Sequence, residues 1–519
     1  MPYSSQNVDF RRDKQQFFTA LQSKNKGTEF HFADTKTNEK NYGFLLQNKL
    51  TLEAELSQLF ASLKKQNAEY NNQFWFYCYY CASLLEAYYK AYGQQIKMSE
   101  FTRIKAQIKD RVYQVKKPKE EDPSFAEALR NKFMSSLSSL ADSPNHISQI
   151  RDNVAFANLC RLYWVFCRLT LVQGLRVAKD LELIDKLDVV LGTHTDIDKI
   201  IGAIQAPNGV LNYFSVGLFA FRLVVDGGLL IKHTFFPSDE EKDEMGATAW
   251  DRFKHELYKR HCNFANDFVW AVVNFLTNFN HISGIPGAVT GYITAVFLVF
   301  DICLLLYRNN LAKEEYLAKK SQYLEELKYY NDTTIKSYLS EEQRRNHITM
   351  LNRQLIELEM DWRTKEATFL FAATAAALLF AGFTLALLVS SPVIIFASYF
   401  VCQVAVAMYL STGAYSQFSE KSLLLEQANL TGENLNVARK EYEIARNDFI
   451  FAMVKNTVMP SLLIATYAIC WPAAIALTVL YMGHELLHAY NQYGLNAESK
   501  LLAATAPNDF AQPSLAPAF

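Results

Sequence analysis

Net charge is the first thing this chain lacks. Its 52 Lys and Arg nearly balance 53 Asp and Glu, for a formal charge of -1. No global field draws it to nucleic acid or to an acidic substrate, and no nucleic-acid partner is expected. It also lacks a cysteine framework. The eight cysteines (Cys78, Cys81, Cys160, Cys167, Cys262, Cys303, Cys402, Cys470) are scattered, several within apolar runs where Cys acts as a small hydrophobe. Cys78 and Cys81 have CxxC spacing but no second pair and no thioredoxin-like strand pattern around them, so they read as packing residues. The opening MPYSSQNVDFRRDKQQFF has no apolar core of the kind a cleaved signal needs, and insertion is expected to be directed by internal spans.

The most informative absence is local. Between Glu366 and Glu420 there is no Asp, Glu, Lys or Arg. Residues 367–390 would form a helix about 36 Å long, against a bilayer hydrocarbon core of roughly 30 Å. Ser390-Ser391-Pro392 then supplies a turn, because Pro cannot continue a helix, and the following apolar stretch crosses back. Residues 367–412 therefore read as a transmembrane hairpin.

What surrounds that hairpin is read in order. Residues 1–150 form a polar, mainly helical N-terminal domain. Within it, leucines over 44–63 recur at helical spacing, and FWFYCYYCASLLEAYY (74–89) is a helix whose rings pack against its neighbour. A charged linker with two prolines (116–123) and a short amphipathic helix (125–141) follow. Residues 151–306 hold marginal spans at about 154–175, 210–231, 264–283 and 285–306, with a charged loop at 232–263. Arg161 and Arg168 lie in the first of these, Arg222 and Asp226 in the second, and Asp301 in the fourth. A charge at mid-bilayer costs roughly 2.5 to 3.5 kcal/mol on the insertion scale. Arg222 and Asp226 are four apart and so share a helix face, where they are expected to neutralise each other. Arg161 and Arg168 share a face that would turn inward.

The run WDRFKHELYKRHCNFANDFVWAVVNFLTNFN (250–280), followed by GYITAVFLVFDICLLLYRNNLAKEEYL (291–317), resembles multi-pass membrane proteins of Legionella-type intracellular bacteria, themselves uncharacterised. It contains no diagnostic motif. The resemblance implies a bacterial origin and, more loosely, a role as a secreted effector in life inside a host cell.

Residues 307–366 read as a helical hairpin. Its second helix opens with the capping-box spacing Ser340-Glu341-Glu342-Gln343 and carries a heptad seam at Ile348, Leu351, Leu355, Leu358 and Trp362. A second helical hairpin, 413–457, turns at Leu430-Thr431-Gly432 and carries Leu435, Ala438, Tyr442, Ala445, Phe449 and Ala452 at heptad spacing. It feeds a last span, 458–483, which Pro460 and Pro472 are expected to kink. The two hairpins contain eleven and five Lys plus Arg, whereas Lys500 alone follows the last span. By the positive-inside rule the hairpins face the cytoplasm and the C-terminus lies opposite. The membrane is a bacterial inner membrane or, for a secreted protein, a host membrane. The tail (484–519) is expected to be disordered from about residue 495.

Chemistry has one motif with a specific mechanism, His484-Glu485-Leu486-Leu487-His488. On a helix it places two His on one face as zinc ligands and a Glu as base. The third ligand is not evident: Asn491 and Gly494 stand where an extended His signature would continue. An Asp-Gly, Asp226-Gly227, lies upstream in another span, in the order inverse to intramembrane zinc proteases. His194-Thr195-Asp196-Ile197-Asp198 lacks a Gly-centred calcium loop and reads as a helix start. The expectation is an all-α, multi-pass protein of about five to seven spans, with long antiparallel helical hairpins. Its expected role is non-enzymatic, as a scaffold, interaction or membrane-remodelling factor without cofactor. Its partners are the lipid bilayer and other proteins, or a second copy bound through the hairpins. Two alternatives remain: a transporter or channel using Arg222, Asp226 and Asp301, and a zinc metalloprotease using His484, Glu485 and His488.

Overall fold

The computed structural model describes residues 8–22, 27–64, 72–91, 94–113, 147–192, 194–206, 208–236, 248–331, 341–432 and 435–469, with isolated positions between 477 and 487. Every regular element among the described residues is a helix. In chain order they are α1 (Val8–Gln22), α2 (Glu29–Asn38), α3 (Tyr42–Lys64), α4 (Asn72–Ala91), α5 (Gln95–Val112), α6 (Ile147–Asp180), α7 (Leu183–Leu191), α8 (Ile197–Gln205), α9 (Asn208–Phe235), α10 (Ala249–Asn278), α11 (Asn280–Ser283), α12 (Gly287–Asn331), α13 (Glu341–Leu388), α14 (Pro392–Leu410), α15 (Thr412–Thr431) and α16 (Leu435–Ile469). They form two compact units, and α6, α9, α10, α12 and α13 each give one part to the first unit and the rest to the second.

The first unit comprises Met1–Asp152, Val224–Phe264 and Arg308–Trp362. Its centre is α4, in which every side chain from Phe74 through Leu85 is buried. A helix apolar on all sides must be surrounded, and α1, α2, α3 and α5 do this. Phe17 stacks on Tyr80 at 4.6 Å, Phe18 meets Phe74 edge-on at 5.5 Å, and Phe30 meets Phe76 at 5.0 Å. Each ring so buried contributes about 1.5 to 3 kcal/mol. Cys78 and Cys81 are fully buried near the centre of this helix. Burial, then the Glu55 charge, pushes the Cys81 thiol well above its usual range, so it acts as a packing group.

Sequence position separates 307–366 from the N-terminal domain, but the structure packs them into one unit. The seam Leu351, Leu358 and Trp362, with Ile348 and Leu355 beside it, meets Tyr316, Tyr323 and Tyr330 of α12. Tyr316 stacks on Trp362 at 5.2 Å and Tyr330 on His347 at 4.8 Å. The capping residue Ser340 lies outside the described residues.

The second unit comprises Asn153–Leu223, Ala265–Tyr307 and Arg363–Phe519. Its core joins Tyr163, Phe166 and Cys167 of α6, Ile197 and Ile201 of α8, Leu379 of α13, Cys402 and Val406 of α14 and Ile464 of α16. Ser391 and Pro392 open α14, Pro at the first helical position having no amide to leave unpaired. Gly382 of α13 is in close contact with α14: a Cβ there would lie 2.7 Å from the Ser398 carbonyl oxygen. Gly432 ends α15 in the left-handed region (φ +72°), donating to the Ala428 carbonyl at 2.8 Å. Beyond that turn, Phe449 of α16 stacks on Phe418 and meets Tyr415, which stacks on Phe371 of α13. Pro460 lies inside α16. Just before it, the Thr457 carbonyl accepts from Gln403 Nε2, which also donates to Ser461 Oγ at 2.7 Å. Helix carbonyls disturbed by a proline need such a donor in an apolar setting.

Five helical stretches are long and apolar enough to cross a bilayer: Asn212–Phe235, Val289–Asn331, Glu341–Leu388, Pro392–Leu410 and Leu435–Thr466. Protein buries only 6% of the apolar window in Leu435–Thr466 and 39% of that in Pro392–Leu410, which leaves broad apolar faces for lipid. This fits a multi-pass, membrane-embedded protein. The expected span at 458–483 runs past Ile469 into residues largely outside the described set.

Candidate functional site

The highest density of buried charge lies in the first unit. Lys14 on α1 reaches both Glu55 on α3 and Glu326 on α12, each at 2.9 Å. Lys319, two turns before Glu326 on α12, approaches Glu55 at 2.6 Å. Tyr323 between them donates to Glu55 at 2.7 Å and lies 2.9 Å from the Gln58 side-chain oxygen. Gln354 of α13 donates to Glu55 at 3.2 Å. Gln322 donates to Glu326 at 3.1 Å. Rings close the network, with Lys319 over Phe10 and over Tyr323 at 4.7 Å each.

Why the charges lie inside follows from helix period. On α12 the inward positions are Ala312, Tyr316, Lys319, Tyr323, Glu326 and Tyr330, an alternation of four and three residues that defines a heptad seam. Lys319 and Glu326 thus occupy seam positions that apolar residues usually fill. Sequence reading passed over this seam because two of its six positions are charged and three are tyrosine. Its signal was the seven-residue spacing of Tyr316, Tyr323 and Tyr330.

Two lysines face two glutamates, so the network is neutral as a whole. Burial alone would lower Lys14, but Glu326 and then Glu55 hold it above the usual lysine range. Burial alone would raise Glu55, but Lys14 and then Lys319 hold it below the usual carboxylate range. A lysine so held stays protonated and has no lone pair to act as a nucleophile. The cavity beside it, lined by Lys14, Glu55, Tyr77, Glu326, His347 and Gln354, is about 10 Å³, about the size of one water. This arrangement locks four helices in one register.

The sequence-predicted intramembrane residues are dispersed. Arg222 pairs with Asp267 of α10 at 3.1 Å, within the second unit. Asp226, within the first unit, pairs with Arg260 of α10 at 3.0 Å, and Arg260 also holds Glu256 at 3.0 Å. A neighbouring helix thus brings counter-charges to both, and its Asp267, Arg260 and Glu256 are all buried. Asp301 accepts from the Trp270 indole at 2.8 Å. Arg168 is buried and Arg161 half-buried, donating to Asn158 at 3.1 Å. Both α6 arginines are therefore turned inward to some degree. Arg222, Asp226 and Asp301 thus each have a side-chain partner on another part of the chain.

Asp196 caps α8: its side chain accepts from the Lys199 amide at 3.1 Å, while Asp188 accepts from Thr195 at 2.7 Å. The acidic run is a helix start. His484, Glu485 and His488 lie outside the described residues, and no group of three His, Cys, Asp or Glu suited to a metal is found among the residues that are described. Comparison of the chain with protein-family models, with curated proteins and with solved structures finds no match.

Proposed function

We propose that this chain is a non-enzymatic integral membrane protein whose first unit serves as a scaffold, presenting helical surfaces to protein partners or to a second copy. The observation that carries this is the neutral Lys14-Glu55-Lys319-Glu326 network. It ties the N-terminal helices to the polar extensions of two apolar helices and places its charged groups against one another, closed to a ligand. Ion pairs join Lys14 to Glu326 and Glu55 to Lys319, so in this reading the N-terminal helices and 307–366 share a side. The Lys and Arg content of 307–366 and 413–457 assigns that side to the cytoplasm. In this reading α12 with α13, and α15 with α16, are antiparallel hairpins. The contacts 316 with 362 and 330 with 347 in one, and 418 with 442 and 449 in the other, support it. The resemblance to proteins of intracellular bacteria makes a host membrane the alternative setting.

Partner capture tests the scaffold reading directly. A photo-crosslinking residue at Leu317, Leu324 or Ile356, all exposed on the first unit, should give discrete protein adducts in native membranes. The same residue at Leu462 should give mainly lipid adducts. Monomer alone at all first-unit positions would sink the idea. The transport alternative rests on Arg222, Asp226 and Asp301; ion flux in liposomes abolished by Asp301→Asn would favour it. Stoichiometric zinc lost in a His484→Ala, His488→Ala double variant would favour the protease.

A further inference from the structure

His347 stands where α1, α4 and α12 converge on the polar part of α13. It is 3% exposed. Phe18 and Phe74 approach it edge-on, each at 4.9 Å, and Tyr330 stacks on it at 4.8 Å. Its Nε2 is buried with no hydrogen-bond partner among the described residues. The charged and titratable groups that face it across the small cavity are Lys14 from α1, Glu55 from α3, Tyr77 from α4 and Glu326 from α12, with Tyr330 of α12 on its face. On its own helix Gln354 lines the same cavity, while Arg344 is turned to Glu341 and the Tyr330 carbonyl.

The charges facing His347 are already balanced. Glu55 and Glu326 are taken by Lys14 and Lys319, so an imidazolium would add a charge without a counter-charge to a ring-lined interior. Burial first, and Lys14 second, hold the imidazole down at about 3, against an ordinary value of 6.5. We propose that His347 is an acid-operated latch, whose protonation releases α1 and α4 from the seam of α12 and α13 and opens the first unit. The open state takes up its proton near the ordinary value, whereas the closed state does so only near the lowered one. Closure therefore keeps its full advantage above about pH 6.5, and loses up to about tenfold in the closed-to-open ratio for each pH unit below it. As a regulator of partner binding the latch rests on the scaffold reading, but its test reads opening alone, so either can fail without the other.

The reporter is built in, since Cys81 is fully buried in α4. The full chain in detergent, with its other cysteines replaced by Ala or Ser, is treated with an aromatic disulfide reagent that still reacts with thiols in acid. Rates near pH 7.5 and near pH 5 are each divided by that of the chemically unfolded chain. The native histidine should give a rise of roughly thirtyfold, and His347→Phe, which keeps a ring in the cage, less than about threefold. No rise with the native histidine, or an equal rise in the Phe variant, overturns the latch. Where that variant fails to fold, hydrogen exchange of the unsubstituted chain decides. Acid should remove protection from α1 and α4 while leaving α16 unchanged, and a uniform loss over both units overturns the proposal.

Discussion

The interior of the first unit is built from rings and charges, whereas that of the second is mainly aliphatic, with small residues on α13 and α14. In the first, Phe17, Tyr77, Tyr80 and Phe18 stack around α4, and the remaining space is taken by Lys14, Glu55, Lys319 and Glu326. In the second, Gly382 of α13 lies against Ser398 and Cys402 of α14, and Ala375, Ala376, Ala405 and Ala407 on the same two helices are buried. The difference follows from the solvent each surface would otherwise meet. A ring taken out of water gains from hydrophobic burial, so bulk is rewarded. A helix leaving lipid for protein gains little from that source, so close approach through small side chains decides instead. Polar groups differ in the same way: the first unit gathers Lys14, Glu55, Lys319 and Glu326 into one shared network, apart from the Asp226-Arg260-Glu256 group, while the second places single pairs such as Arg222 to Asp267, Gln403 to Ser461, Trp270 to Asp301 and Asn456 to Ser411.

Glu55→Ala should have the largest effect and bear on the first unit alone. It removes the acceptor shared by Lys14, Lys319, Tyr323 and Gln354 and leaves a buried lysine unanswered. Breaking a buried pair from one side costs about 3 to 5 kcal/mol. Denaturant-induced exposure of Cys81 would report it as a matching loss of stability. Replacing both partners, Glu55→Met with Lys319→Met, should recover most of the loss, since two charges leave together. If the single variant is as stable as the parent, the network does not hold the unit.

Gly382→Ala should come next and bear on the second unit. The added Cβ meets the Ser398 backbone carbonyl, which cannot swing away, and the buried Cys402 sulfur at 2.9 Å. Overpacking of this kind costs about 1 to 3 kcal/mol. Thermal unfolding in detergent, read at the Trp residues or by thiol labelling of Cys402, should shift downward. Gly217→Ala, where a Cβ meets nothing within 4 Å, should be neutral or gain up to about 1 kcal/mol from helix propensity. Equal losses for the two glycines would mean that the small-residue approach is not what holds α13 to α14.

Much of the second unit was legible because its signals are local. The uncharged run, Ser391-Pro392 and Gly432 each announce themselves within a few residues. In the first unit the heptad of Leu351, Leu358 and Trp362 likewise points inward as its spacing requires. The aromatic helix α4 was legible as a buried helix for the same reason. The ion network was not, because its partners are far apart in the chain and because a lysine or glutamate on a helix reads as solvent-facing. Only the tyrosine spacing on α12 marks that face as inward. The further partners of Arg222 and Asp226 were hidden for a related reason: spacing of four residues shows that two charges share a face, but not what another helix brings to that face. Here α10 brings Asp267 to one and Arg260 to the other.

The smallest effect tests whether a local signal in the second unit is complete in itself. α8 is nine residues long, too short to persist alone, and holds its place by burying Ile197, Ile201 and Ile204. Asp196 precedes it in an extended conformation and satisfies the Lys199 amide. Asp196→Ala should cost about 1 kcal/mol, seen as faster hydrogen exchange confined to α8 and the loop before it. Asp196→Asn keeps an acceptor oxygen without the charge and should cost only a few tenths, because a cap needs the oxygen more than the charge. A cation site would order the two variants differently: Asn would lose nearly as much as Ala, and added calcium would slow exchange in the unsubstituted chain. Equal exchange in parent and Asn variant, with no response to calcium, fixes the acidic run as a cap.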